Sequence, residues 1–255
     1  MTLAFSSLGS GSKGNATLVR SADTLILIDC GFTLKETEKR LQRLGVSADQ
    51  LDAVLVTHEH GDHISGIGPL VRKYDLPLHI TAGTLRSKKL GQLPDLRIIH
   101  GYSPFQVKSF AITPVAVPHD ATEPAQYIIE YCGKRLGILT DLGTVSPHVE
   151  QQYQCCDALI LEANHDPAML ASGPYPYSLK QRVGGAWGHL SNQQAARFLE
   201  AIDSSRLECL VVAHISQQNN SVKLAQEALE PIQSQLDQVV YACQDEGFGW
   251  IKLAV

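Results

Sequence analysis

Three histidines and an aspartate, His58, His60, Asp62 and His63, fall within six consecutive positions. Neutral imidazoles and a carboxylate are the donor set that suits zinc and neighbouring transition metals. The cluster directly follows Leu51, Ala53, Val54, Leu55 and Val56, a short, non-alternating apolar run that predicts a buried strand. The donors are therefore expected at the carboxyl end of a core strand, where α/β sheets open their ligand clefts. Gly61 permits the tight turn that lets side chains on both sides converge. A solvated polar loop is the alternative, but four metal-type donors at this spacing carry a mechanism.

The run His58-Glu59-His60-Gly61-Asp62-His63 resembles the signature of the metallo-β-lactamase superfamily of metallohydrolases. The resemblance implies an α/β fold, a four-layer αββα sandwich of two mixed β-sheets flanked by helices. It also implies further ligands. His119 follows a strand end, as the third metal-binding histidine of the superfamily does. Asp141 ends the apolar run Gly137 to Thr140 and matches the bridging aspartate. His214 ends Cys209 to Ala213 and matches the last ligand. On that pattern His58, His60 and His119 hold one divalent cation, Asp62, His63 and His214 hold the other, and Asp141 bridges them. Zinc and manganese both suit this set. Two close cations activate water and brace both oxygens of a displacement. Asp29, at the end of Leu25 to Ile28, matches an aspartate that accepts hydrogen bonds beside the metals. A helix cap or turn residue is its other reading. His60, where flavo-diiron relatives carry Glu, favours hydrolysis over oxygen reduction.

The flanking motifs narrow the resemblance. Ser10-Gly11-Ser12-Lys13-Gly14-Asn15, Asp29-Cys30-Gly31, Glu162-Ala163-Asn164-His165-Asp166, Gly188-His189-Leu190-Ser191-Asn192 and His214-Ile215-Ser216 with Asn219-Asn220 are together similar to the WalJ/YycJ family. This similarity runs over nearly the whole chain. It implies a bacterial cytosolic enzyme, related to tRNA 3′-processing nucleases, with 5′→3′ exonuclease activity on DNA. The implied partner is nucleic acid, DNA with a 5′ phosphate. Relatives often carry Leu or Phe where this chain has Ile215, a conservative departure. Only 73 residues separate Asp141 from His214, too few for the extra domain of the larger processing enzymes.

Asp62 and His189 are the candidate catalytic groups, with His189 donating a proton to the departing sugar oxygen. The alternative for His189 is a capping or packing role. Ser12, Asn15, His165 and Asn220 are candidate phosphate contacts. The Gly9 to Asn15 loop reads equally as an anion cradle or a plain hairpin turn. Lys180, Arg182 and Trp187 offer cations and a stacking surface beside His189.

Elements must position these groups. Thr2 to Leu8, Ala16 to Arg20, Leu25 to Ile28, Ala158 to Leu161 and Cys209 to Ala213 read as strands. Phe105 to Val117 and Gln126 to Cys132 read as strands of a second sheet, and Val239 to Cys243 and Phe248 to Leu253 as closing strands. Thr33 to Leu44 reads as a helix with a Thr33/Glu36 capping box. Ser191 with Gln194 opens another, running to Ala201, and Ser221 a third, to Ile232. His79, in a short strand after Pro77, reads as structural. A hydrophobic content of 44% over 255 residues suffices for one domain, 1–255, with a sizeable core. Net charge of −5 gives no overall basic footprint, which argues mildly against nucleic acid as a partner, although local patches can still bind it. Six cysteines lack framework spacing and read as free, mostly buried thiols in a reducing cytoplasm, with Cys30 the one to watch. No apolar stretch has the length of a signal peptide or membrane span.

Two competing readings remain. A small thioester, ester or lactam could be hydrolysed at the same site. A non-catalytic metal-binding regulator is the third, against which every superfamily ligand position is filled.

Overall fold

Apolar runs become strands and amphipathic runs helices in the computed structural model, which describes residues 1–255. In chain order the strands are β1 (Thr2–Gly9), β2 (Ala16–Arg20), β3 (Leu25–Ile28), β4 (Ala53–Leu55), β5 (Pro77–Thr81), β6 (Asp95–Ile99), β7 (Phe105–Val107), β8 (Phe110–Ala116), β9 (Ala125–Tyr131), β10 (Lys134–Leu139), β11 (Ala158–Glu162), β12 (Cys209–Ala213), β13 (Gln238–Tyr241) and β14 (Phe248–Ala254). The helices are α1 (Leu34–Arg43), α2 (Gly61–Ile64), α3 (Ile67–Tyr74), α4 (Ala82–Ser87), α5 (Pro147–Gln152), α6 (Pro167–Ser172), α7 (Tyr177–Val183), α8 (Asn192–Ala201) and α9 (Val222–Gln233). Two seven-stranded sheets result, β14-β1-β2-β3-β4-β5-β6 and β13-β12-β11-β10-β9-β8-β7. Both are mixed. No helix is long and apolar enough to cross a membrane.

The chain divides into two compact units. The first comprises Met1–Ala116, Ala121–Lys134 and Cys243–Val255; the second comprises Val117–Asp120 and Arg135–Ala242.

In the first unit, β14, β1, β2 and β3 pair antiparallel, and β3 through β6 pair parallel. The parallel pairs β3 and β4 are buried throughout, which explains their continuous apolar runs. Their core includes Leu18, Leu27, Val54, Val56, Leu70 and Leu78. α1 starts at Thr33, whose side chain accepts from Glu36 N. The reciprocal half of the expected capping box does not form. Glu36 is drawn to Arg40 instead, at 2.8 Å. The expected strand from Phe105 to Val117 is a hairpin, β7 and β8, with Lys108 in the left-handed region at its turn.

His79 on β5 is 3% exposed, stacked on Phe105 at 4.7 Å, and neither ring nitrogen has a hydrogen-bond partner. Burial, followed by the charge of Arg97, pushes its pKa down to about 4. An unfolded histidine titrates near 6.5. Between those values the unfolded chain binds more protons, so stability falls as pH drops through this window. The loss reaches about 3 kcal/mol at most below pH 4. His79→Phe keeps a stacked ring and should lose less stability than the wild type between pH 7 and pH 4.5. Urea midpoints at the two pH values test this; equal losses would remove His79 as the acid-sensitive group.

In the second unit, β10, β11, β12 and β13 pair parallel in register. β11 and β12 are buried at every position. Tyr153 packs edge-on against Phe198, and its hydroxyl donates to Ile138 O at 2.7 Å. Ser191 and Gln194 form the expected capping box of α8. The short helices α5, α6 and α7 were not signalled by periodicity, because six or seven residues show little more than one apolar repeat.

All six cysteines are free, but only Cys30, Cys156 and Cys209 are buried. That corrects the expectation that most are buried. Burial pushes the Cys30 thiol up to about 11, so it stays protonated and is not a reactive thiolate.

Candidate metal and catalytic site

Within the first unit the motif loop leaves β4 and turns into α2. Asp29 ends β3 with φ 62°, a left-handed conformation that a non-glycine residue adopts at some cost. Its carboxylate accepts from Thr57 N at 2.8 Å, Thr57 Oγ1 at 2.7 Å and His63 Nδ1 at 2.8 Å. His58 Nδ1 in turn lies 2.9 Å from Thr57 Oγ1. With that hydroxyl donating to Asp29, His58 Nδ1–H is the donor to Thr57. Both rings are thus tied through Nδ1, which leaves Nε2 as the ligand atom. The His58 ring lies 4.6 Å from His60 and 4.2 Å from His63 between centroids. Glu59 faces the other way and accepts from Thr122 N at 2.7 Å.

The Gly9 to Asn15 loop closes as a turn rather than an anion cradle. Gly11 N donates to Asn15 Oδ1, Lys13 N to Gln244 Oε1, Gly14 N to Gly11 O and Asn15 N to Asp62 O. Those four N–H groups are occupied. Ser12 is exposed. Asn15, expected at a phosphate, places its amide 3.2 Å from Asp62 Oδ2 and 3.0 Å from His63 Nε2. It orients the motif loop. Gly31 has no room for a side chain, since a Cβ there would lie 1.7 Å from Asp62 O.

Within the second unit, three neighbouring parallel strands present polar residues at their carboxyl ends. Asp141 follows β10, Glu162 ends β11 and His214 follows β12. Asp141 and His214 have φ of 55° and 53°, the same left-handed exit as Asp29. His119 Nδ1 donates to Gly188 O at 3.0 Å. His214 Nδ1 donates to Glu162 Oε1 at 2.9 Å. Four candidate ligands, His58, His63, His119 and His214, are therefore held by Nδ1, which leaves Nε2 as the atom that could meet a cation; in His63 that atom lies against the Asn15 amide. Anchored imidazoles with carboxylates beside them are a donor set that fits a divalent cation.

In the sequence Glu162 stands at a strand end and in the Glu162-Ala163-Asn164-His165-Asp166 motif, with no role assigned. In the structure it is fully buried and organises its surroundings. Oε1 accepts from His189 Nδ1 at 2.8 Å as well as from His214; Oε2 accepts from Leu190 N at 3.0 Å and Leu142 N at 3.3 Å. Ligand atoms of Asp141, Glu162, His189 and His214 lie within 4.8 Å of one another. Burial raises the Glu162 pKa, but the charge and hydrogen bonds of His189 and His214 outweigh it and hold the carboxyl well below the usual range. Burial lowers the His189 pKa, and the Glu162 charge and hydrogen bond, with Asp141, reverse that and raise it. A protonated His189 with Nδ1 tied to Glu162 has Nε2–H left to give. The signal that could have found Glu162 is the one shared by Asp29, Asp141 and His214: a polar residue ending a buried apolar strand.

The loop before His189 is tightly wound. His189 N donates to Val183 O at 2.9 Å and Gly188 N to Gly185 O at 2.9 Å. A Cβ on Gly188 would lie 2.1 Å from Arg182 O. Arg182 pairs with Asp120, whose N–H donates to Trp187 O at 2.8 Å. Trp187 itself is 63% exposed. Asn220, expected at a phosphate, instead uses all four of its hydrogen-bonding positions on Asn192, Ala163 O and Ser221 N. It is a buried tie between α8 and the chain after β12. His165 is 4% exposed, and its Nδ1 has no hydrogen-bond partner.

A sequence model of the Beta-lactamase superfamily domain matches residues 24–215. The chain is 33% identical to Exodeoxyribonuclease YycJ of Bacillus anthracis, covering 98% of this chain and 92% of that protein. The chain belongs to the WalJ/YycJ family of the β-lactamase superfamily. Exodeoxyribonuclease WalJ of Streptococcus pneumoniae is a second family member, 35% identical, with 87% of this chain and 84% of that one covered. The chain also shares the fold of the metallo-β-lactamase fold protein YhfI from Bacillus subtilis. That match has a TM-score of 0.74 at 19% identity and covers 99% of this chain and 100% of the other.

Proposed function

We propose that this chain is a metal-dependent phosphodiesterase, a 5′→3′ exonuclease that acts on DNA carrying a 5′ phosphate, with residues 1–255 as one catalytic domain. The 33% identity to an exodeoxyribonuclease along nearly the whole chain supports the class of substrate. The observation that carries the chemistry is the half-buried His189 hydrogen-bonded to the buried Glu162. A sugar oxygen is a poor leaving group and needs a proton, which a thiolate leaving a thioester does not. The pair therefore favours phosphodiester over thioester hydrolysis.

In this reading His58, His60 and His119 would hold one divalent cation, zinc or manganese, and Asp62, His63 and His214 would hold a second, with Asp141 also a ligand. Bound cations would supply activated water and charge neutralisation at the phosphodiester. Asp29 and Glu162 keep the imidazoles in the tautomer that presents Nε2. Asp62 is a ligand whose carboxylate Asn15 orients. His189 gives its Nε2 proton to the departing oxygen. Free cysteines, two of them exposed, agree with work in a reducing cytoplasm.

The test is incubation of metal-loaded protein with 5′-phosphorylated single-stranded and duplex DNA and with RNA. Mononucleotides are expected from the DNA, and a chelator should stop their release. Turnover of a thioester or lactam without nucleic-acid cleavage would overturn the reading.

Trp187 supplies a further prediction. An exposed indole beside His189 is a stacking platform for a base, and such contacts are worth roughly 1–3 kcal/mol each. Trp187→Ala should raise KM for DNA by about tenfold with kcat nearly unchanged, and Trp187→Phe should restore most of it. Steady-state kinetics decide; an unchanged KM would mean the indole touches no substrate.

A further inference from the structure

The second unit contains a cavity of about 470 Å³ whose lining includes His165, Lys180, Gln181, Ser191 and Arg197. Its lining contains no carboxylate, in a chain of net charge −5. Lys180 Nζ donates to the backbone oxygen of Ala171 at 2.7 Å, so its charge is oriented but not neutralised. Arg197, on the exposed face of α8, makes no ion pair. Two uncompensated cations at one concave site attract an anion. The floor adds a third group. His165 is almost wholly buried, its Nδ1 lacks a hydrogen-bond partner, and its ring forms part of the wall. A buried polar ring left in this way is costly unless a ligand or water completes it.

Size and wall chemistry narrow the ligand. A volume of 470 Å³ lies within the roughly 300–1,000 Å³ of sites that hold small organic ligands and exceeds what one phosphate needs. Pro167, Leu170 and Ala171 give one apolar side, suited to a sugar or base.

The chain path ties the cavity to the chemistry. Gly184 and Gly185 of its wall belong to the loop that ends at His189, and Ser191 follows two residues later. His165 follows Asn164, whose amide donates to His214 O at 3.0 Å. A ligand here would therefore be held by the segment that carries His189 and by a second segment hydrogen-bonded to His214.

We propose that this cavity is the pocket for the 5′-terminal nucleotide of the DNA, with Lys180 and Arg197 on its terminal phosphate and His165 completing the contact. The proposal rests on the nuclease reading and adds the reason an end is preferred to an internal site. A 5′ phosphate brings up to two negative charges to the two cations, and a 5′ hydroxyl brings none.

The experiment uses the metal-loaded full chain and two oligonucleotides that differ only in a 5′ phosphate or 5′ hydroxyl. The wild type should favour the phosphate by at least tenfold in kcat/KM, mostly through KM. Arg197→Gln and Lys180→Gln should each bring that ratio close to one, with thermal melting confirming that the variants fold. Thymidine 5′-monophosphate should compete with the DNA and thymidine should not. DNA degradation with no 5′-phosphate preference overturns the pocket and the 5′-phosphate part of the proposed function but leaves metal-dependent DNA hydrolysis standing; a preference that survives both substitutions overturns the pocket alone. No nucleotide release from either oligonucleotide overturns the nuclease reading and the pocket with it.

Discussion

His189→Ala is expected to lower kcat for DNA by about 10²- to 10⁴-fold, the usual contribution of a positioned general acid. Metal content should stay as in the wild type, because His189 is not among the proposed ligands. The ring is held by Glu162 at Nδ1 and by the tight turn through Gly188, so its position does not depend on substrate. The Glu162 carboxylate raises its pKa and so favours the protonated ring, the form an acid needs. Activity should therefore fall as pH rises through that pKa, and this alkaline limb should vanish in the variant. A substrate whose leaving group needs no proton, such as a p-nitrophenyl phosphodiester, should lose far less rate. Metal analysis, pH profiles and this substrate comparison check the role together. Equal loss on both substrates would make His189 a packing residue instead.

Glu162→Gln should cause a comparable loss of activity and, unlike His189→Ala, a large loss of stability. Each carboxylate oxygen accepts two N–H groups: Oε1 from His189 and His214, Oε2 from Leu142 and Leu190. Glutamine has the same shape but only one oxygen. Its NH₂ must face either two imidazole N–H groups or two backbone N–H groups, so two buried donors lose their acceptor. Removing one partner from a buried charged network costs on the order of 3–5 kcal/mol. For a chain of this size that corresponds to a fall of roughly 6–20 °C in Tm. Calorimetry reads the fall. Kinetics well below the melting transition read the second effect, and His214 released from Glu162 should also weaken metal uptake. A variant that melts like the wild type would show that the four hydrogen bonds are not jointly required.

The two variants separate roles that one active site mixes. His189 is argued to touch the reacting oxygen; Glu162 acts through His189 and His214 and is a positioning residue.

The central motif was legible because its donors are neighbours in sequence. His58, His60, Asp62 and His63 need only one strand end and one turn to meet, and both are local. The strand-end groups Asp29, Asp141 and His214 were legible because their order around the motif resembles the superfamily's; a polar strand end alone is weak evidence, and it left Glu162 without a role. The capping pair Ser191 and Gln194 was local too, and it formed as the spacing required. Where local preference met a competing partner, the reading failed. Glu36 chose Arg40 over the helix N-terminus, and the Phe105 to Val117 run folded back at Lys108 because β7 pairs with β8.

What the amino-acid order determined by itself is which residues can bind metal, where strands end and which superfamily the chain belongs to. Those properties depend on residue type and short-range spacing. Only the tertiary structure decided that Glu162 holds two histidines, that Asn15 and Asn220 are internal ties, and that Lys180 and Arg197 share a cavity with His165. These are hydrogen bonds and charges between residues tens of positions apart. Their partners are set by parallel strand register and by the packing of α7 and α8, which no spacing along the chain specifies.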